Sequence, residues 1–323
     1  MKKYMKTNLG FKASALALAF GFGLASCSDD DDMPPVVEPE QNIVEVASSN
    51  AQFSTLVTAV DQAGLVGTLS GEGPFTVFAP NNDAFTAFLS ANGMSAEELL
   101  SSPELGTILT YHVVSGSVMA SDVTPGSVST VAELPFFVSE DVDGAFWING
   151  SAKITATDIA ASNGVIHQLD NVITPPTQSI AEIAVSMTEA DTPEFTHLVA
   201  ALVRANLVEA VSGDFDDNLT VFAPTDAAFE ALFDALGVNG VDEIDVALLT
   251  DVLLYHVVDA RAFSQDLRQD ATLPTLLTGE ELTVDLANLQ INNAGLVPSL
   301  LNVHATNGVI HVIDAVLLPP MED

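Results

Sequence analysis

Cys27 is the only cysteine in 323 residues. No intramolecular disulfide can form, and past that position no thiol is available as a nucleophile or a metal ligand. Positive charge is nearly as scarce. Four of the eight basic residues, Lys2, Lys3, Lys6 and Lys12, precede Cys27, whereas all 44 acidic residues follow it. From Cys27 onward only Lys153, Arg204, Arg261 and Arg268 oppose those 44 acids, a formal net charge of −40. A polyanion of this size is repelled by nucleic acid and by anionic lipid, which excludes both as default partners. Enzyme signatures are missing too. There is no Gly-x-Ser-x-Gly elbow, and the loops Gly71-Glu72-Gly73 and Gly213-Asp214 carry acid where a phosphate cradle needs lysine. Paired carboxylates for glycoside hydrolysis are not singled out among so many acids. No cofactor is expected and the chain does not read as an enzyme. Without an EF-hand loop, divalent cations are expected at most as weak surface associates.

The N-terminal segment reads as an export signal. Its lysines precede the twelve-residue apolar run Ala13–Leu24, too short for a spanning helix of about 20 residues. Leu24-Ala25-Ser26-Cys27 is similar to a bacterial lipobox. It implies a signal peptide over 1–26, cleaved before Cys27, and lipid on that cysteine as the membrane attachment. Ser28 followed by Asp29, Asp30, Asp31 and Asp32 resembles the tag that sends some Gram-negative lipoproteins to the outer face of the outer membrane. The expected localisation is therefore the outer membrane, at the cell surface ahead of the periplasmic face. Pro34, Pro35 and Pro39 continue a stiff acidic tether over 27–41.

The rest of the chain says one thing twice. Thr76-Val77-Phe78-Ala79-Pro80 returns as Thr220-Val221-Phe222-Ala223-Pro224, Tyr111-His112-Val113-Val114 as Tyr255-His256-Val257-Val258, and Asn163-Gly164-Val165-Ile166-His167 as Asn307-Gly308-Val309-Ile310-His311. All three are separated by 144 residues, a register that chance does not hold. Two domains are expected, over 42–176 and 177–323. Each is long enough to hold itself together by an apolar core without disulfides.

Within a copy, Phe53, Leu56, Val57 and Val60, like Phe195, Leu198, Val199 and Leu202, share one helical face. A strand over 75–78 or 219–222 ends in Ala-Pro. Asn81 and Thr225 then stand as N-caps, Ser95 with Glu98 as a capping box, and Asp242 with Asp245 as its weaker equivalent. Another helix carries Leu105, Ile108 and Leu109, or Leu249, Val252 and Leu253, and continues to the histidine. Strands are expected at 136–138, 146–148 and 154–159 in the first copy and at 282–286, 289–291 and 301–304 in the second. The closing strands are expected at 164–173 and 308–318, entered through Asn-Gly. Helices early and strands late give an α+β fold. The two-residue insertion at 212–218 relative to 70–74 marks that loop as exposed. The short junction after Pro176 brings the copies into contact.

These motifs, in this order and in both copies, resemble the fasciclin domain family over about 42–176 and 180–320. The resemblance implies tandem wedges of β-strands flanked by several short helices. It also implies extracellular adhesion, with protein or polysaccharide partners. Tyr111, His112, Tyr255 and His256 are candidate binding residues by that resemblance. The place of His112 and His256 on an apolar helical stripe reads instead as burial, each imidazole bonded to the backbone. His167 with His112, and His311 with His256, are candidates for a two-histidine metal site within each repeat, but the third and fourth ligands that zinc requires are missing, so no metal is expected. Trp147 has no aromatic counterpart in the second copy; it reads as core filling, with a sugar-stacking platform as the alternative. The leading function is a lipid-anchored, surface-exposed adhesion or matrix-contact protein. The alternatives are an envelope glycan-binding accessory, an unrecognised hydrolase, or a spacer without its own ligand. Ligand contact is expected where the copies disagree, at 70–74 against 212–218 and around Trp147.

Overall fold

The computed structural model describes residues 40–320. The expected signal peptide over 1–26, Cys27 and the expected tether up to residue 39 lie outside the described residues, as do residues 321–323. Both repeats fall within one compact unit. In the first, helices α1 (Ile43–Ser49), α2 (Ser54–Gln62) and α3 (Val66–Leu69) lead into strand β1 (Phe75–Pro80). Then come α4 (Asn82–Ala91), α5 (Ala96–Ser101) and α6 (Leu105–Tyr111). The strands β2 (Val113–Ser115), β3 (Gly126–Ser129), β4 (Pro135–Glu140), β5 (Phe146–Ile148), β6 (Ala152–Ala161) and β7 (Gly164–Leu169) follow. The second repeat runs α7 (Ile180–Thr188), α8 (Thr196–Arg204), β8 (Leu219–Pro224), α9 (Asp226–Leu236), α10 (Val246–Tyr255) and β9 (Val257–Val258). It closes with β10 (Thr272–Pro274), β11 (Glu281–Asp285), β12 (Gln290–Ile291), β13 (Ala294–Gly295), β14 (Val303–Ala305) and β15 (Gly308–Ile313).

The α+β fold is plain in the strand order. The first repeat has one sheet, β2-β1-β7-β6-β5-β4-β3, in which only β1 and β7 pair in parallel. The second repeat divides the same path into β14-β15-β8-β9 and β10-β11-β12-β13. The division has a local cause. Where β6 runs unbroken for ten residues, the second copy has Pro298 between β13 and β14, starting a 3-10 turn over Pro298–Leu300. A proline has no N–H to give the ladder. Each sheet packs its inner face on the helices, burying Val77, Ala79, Ile166 and Leu109 in one repeat and Val221, Ala223, Ile310 and Leu253 in the other.

The caps at Asn81 and Thr225 form as expected, accepting from Ala84 and Ala228 N–H, and Ser95 with Glu98 makes a full capping box. Asp242 and Asp245 do not form its equivalent. Asp242 lies in a 3-10 turn, and Asp245 is itself the N-cap of α10, accepting from Ala247 and Leu248. The closing strands stop sooner than their apolar runs, at Leu169 and Ile313. Beyond them the N–H groups of Ile173 and Leu317 donate to histidine side chains instead of to a neighbouring strand.

Candidate functional site

The Tyr-His pair sits where a helix ends and a strand begins. Tyr111 and Tyr255 are the last residues of α6 and α10, and His112 and His256 cap them. Both imidazoles are 2% exposed. Nδ1 of His112 lies 2.8 Å from Ile108 O, and Nε2 accepts from Ile173 N–H at 3.1 Å. His256 repeats this with Val252 O at 2.7 Å and Leu317 N–H at 2.9 Å. A ring that accepts at Nε2 must carry its proton on Nδ1, so both histidines are neutral donors to the helix carbonyl. Burial lowers both to about 4, against the opposing pull of that carbonyl.

The tyrosines reach the other way. Tyr111 Oη donates to Pro135 O and accepts from Asn149 Nδ2, whose Oδ1 takes Phe137 N–H. Tyr255 likewise donates to Glu281 O and accepts from Asn292 Nδ2, whose Oδ1 takes Thr283 N–H. Burial pushes the Tyr111 phenol up from its ordinary value. The four side chains join the helix end to the closing segment on one side and to β4 or β11 on the other. They offer no surface to a partner.

His167 and His311 do not join the first pair in a metal site. His167 Nε2 is 2.8 Å from Val118 O and its Nδ1 accepts from Asp158 N–H. His311 Nε2 is 2.9 Å from Ala262 O and its Nδ1 accepts from Asn302 N–H. Here the proton is on Nε2, and both ring nitrogens are occupied by backbone. Among the described residues no group of three or more His, Cys, Asp or Glu side chains is arranged to hold a metal.

Trp147 is half-buried on β5 and belongs to none of the apolar clusters, so it does not fill the core. Its indole N–H donates to Asp141 at 2.8 Å, and Lys153 Nζ stands 5.4 Å from the ring centroid. The reason is alternation: on β5 the side chain of Ile148 points to the core and that of its neighbour Trp147 points away. The loops 70–74 and 212–218 are largely exposed.

The residues that sequence reasoning missed form the contact between the repeats. Phe137, Phe263 and Val309 are buried together. The Arg261 guanidinium stacks on Phe137 at 4.0 Å, and the His304 ring meets Phe137 and Phe263 edge-on at 5.8 and 5.4 Å. Around them Ser139 donates to Asp266, Arg268 to Glu140 O, and Gln265 and Asn302 both to Gly150 O. Burial pulls Arg261 down to about 10, lowers His304 to about 3 with the Arg261 charge adding to it, and raises Asp266. A signal for this contact was available. At an offset of 144, Arg261, Phe263, Arg268 and His304 face Ser117, Met119, Thr124 and Ala160. Several of the copies' differences thus mark where one repeat grips the other.

The family model for the fasciclin domain matches residues 51–175 and 193–319. Protein sll1483 of Synechocystis sp. is 50% identical over 139 residues, 42% of this chain and 73% of its own. Human periostin is 29% identical over 262 residues, 80% of this chain, which spans only 30% of periostin. A solved FAS1 domain pair from the insect cell adhesion molecule Fasciclin I aligns over 85% of this chain and 95% of its own, at 19% identity and a TM-score of 0.36. Among the described residues no helix is long and apolar enough to cross a membrane.

Proposed function

The chain belongs to the fasciclin domain family, and from that membership together with the lipobox-like Leu24-Ala25-Ser26-Cys27 we propose that it is a lipid-anchored, surface-exposed adhesion or matrix-contact protein. Its partners on this reading are extracellular proteins or polysaccharides. The observation that carries the reading is the match of both repeats to one family of binding modules. The residues that both repeats share fit it: four histidines and two tyrosines clasp backbone and so serve the architecture. Cys27 supplies the anchor and the acidic tether lifts the repeats from the membrane. With the repeats in contact, two weak faces present themselves at a set spacing, and binding at one raises the effective concentration at the other.

The test is made on intact cells. Added protease should shave the repeats from the surface, and deleting the chain should reduce attachment or aggregation. Repeats that stay protected until the outer membrane is broken would overturn the surface assignment.

A further inference from the structure

On the second repeat, α9, α10 and the closing segment Leu318-Pro319-Pro320 enclose a groove of about 700 Å3. Leu232, Leu236, Leu248, Leu277 and Leu318 line it. Three of these are unusually open to solvent for their type: Leu236 is 48% exposed, Leu248 43% and Leu318 54%. Contiguous apolar surface of this kind on a soluble fold marks a contact site. The first repeat shows that the fold does not require it. At the constant offset, held on these helices by Tyr111 with Tyr255 and His112 with His256, the three leucines face Asn92, Glu104 and Thr174. Val246, 44% exposed in the first turn of α10, faces Ser102. The shared framework is unchanged while one face has turned from polar to apolar.

Charge selects the occupant. Asp251 and Glu280 line the groove, no lysine or arginine does, and Glu230 and Asp234 stand exposed on α9. A second copy of this chain brings the wrong charge. It has only Lys153, Arg204, Arg261 and Arg268 past Cys27, and each is engaged within its own chain. Anionic lipid is repelled for the same reason. We propose that the groove docks a cationic amphipathic segment of another protein. The segment's apolar side chains seat on Leu236, Leu248 and Leu318, and its lysines or arginines face Asp251 and Glu280. The proposal takes its setting from the adhesion reading and gives that reading a partner class and a face.

The experiment measures binding of a synthetic leucine–lysine amphipathic helical peptide to the full-length chain in zwitterionic nanodiscs, at physiological ionic strength. A scrambled peptide of the same composition controls for bulk attraction to a polyanion. The combined variant Leu236→Asn, Leu248→Gln, Leu318→Thr leaves net charge untouched and places polar side chains at positions already exposed. Its melting temperature should match the parent's. The parent should prefer the ordered peptide, and the variant should bind it at least about tenfold more weakly, the change that about 1.4 kcal/mol produces. Equal binding by parent and variant, or equal binding of both peptides, overturns the proposal. So does a parent dimer that the variant converts to monomer, because the occupant is then a second copy. The adhesion reading fails separately. If the variant loses the peptide while deletion of the chain leaves attachment intact, the groove stands and adhesion falls. If binding ignores the variant while deletion abolishes attachment, the groove falls and adhesion stands.

Discussion

His112 and His256 act as backbone bridges, each joining a carbonyl one turn back in its helix to an N–H 61 residues ahead in the chain. Truncating either to alanine leaves a buried donor and a buried acceptor unpaired, at about 1–3 kcal/mol each. His112→Ala and His256→Ala should therefore lower the melting temperature sharply while partner binding by the folded fraction persists. Unchanged stability with binding abolished would place these rings in a binding site. The same rings give stability a pH slope. Their folded values of about 4 lie below the ordinary 6.5, so the unfolded chain takes up protons first. The contribution is complete above pH 6.5 and is lost as pH falls from there towards 4, on the order of 3 kcal/mol for each ring. Between pH 6.5 and 5 few carboxylates titrate, which separates this effect from relief of the chain's own charge repulsion. In urea titrations over that interval, His112→Gln should show a flatter loss of stability than the parent. An identical slope would mean that His112 is not held neutral.

The Asn-Gly turn before each closing strand shows what an element asks of its sequence. Asn163 accepts from Ile43 N–H and donates to Leu69 O and Gly71 O, tying α1 to the loop before β1. Asn307 binds Ile180 N–H and Val211 O in the same way. Beside it, Gly164 has φ +154°, and a Cβ there would lie 1.9 Å from Phe75 O, at the first rung of the parallel β1–β7 pair. Gly164→Ala should thus cost about 3 kcal/mol or more by forcing that rung open. Gly67→Ala, in α3 with nothing within 4 Å of the added carbon, should instead be neutral or stabilising by up to about 1 kcal/mol. Comparable urea midpoints for the two variants would refute the steric account. Much at this scale was legible, because caps and turns are local chemistry: Asn81, Thr225 and the Ser95–Glu98 box follow from side chains within three residues of the groups they satisfy. Strand ends were not, because the apolar pattern runs on through Ile173 and Leu317, whose N–H groups find a distant histidine. Trp147 was misjudged because an unusual aromatic suggests a core, whereas the alternation around Ile148 turns it outward.

At the scale of the whole molecule, the short junction after Pro176 made contact between repeats an expectation but did not name the contact, since residues far apart in the chain meet there. Its logic is asymmetric. The gripping side of the second repeat, with Arg261, Phe263, Arg268 and His304, has Ser117, Met119, Thr124 and Ala160 as counterparts. On the receiving side, matched through the bonds of Asn149 and Asn292, Phe137, Ser139 and Gly150 correspond to Thr283, Asp285 and Asn293. Gly150 also admits close approach, because a Cβ there would meet Phe263 at 2.6 Å. Each of these residues stands in the copy where it touches and is replaced in the other, so the sequence encodes one such contact between one pair. Phe137 is its centre: 8% exposed, stacked under Arg261 and bordered by His304 and Phe263. Phe137→Ala removes that packing and uncovers a guanidinium and an imidazole that burial now strips of water, at about 3–5 kcal/mol. Its side chain lies outside the apolar clusters of either repeat, so the loss falls on the coupling between them. Calorimetry should show the parent melting in one cooperative transition and Phe137→Ala in two, with the lower one displaced downward. A single transition at the parent's temperature would show that the repeats fold without need of each other, and that the aromatic contact contributes little beyond placing them side by side.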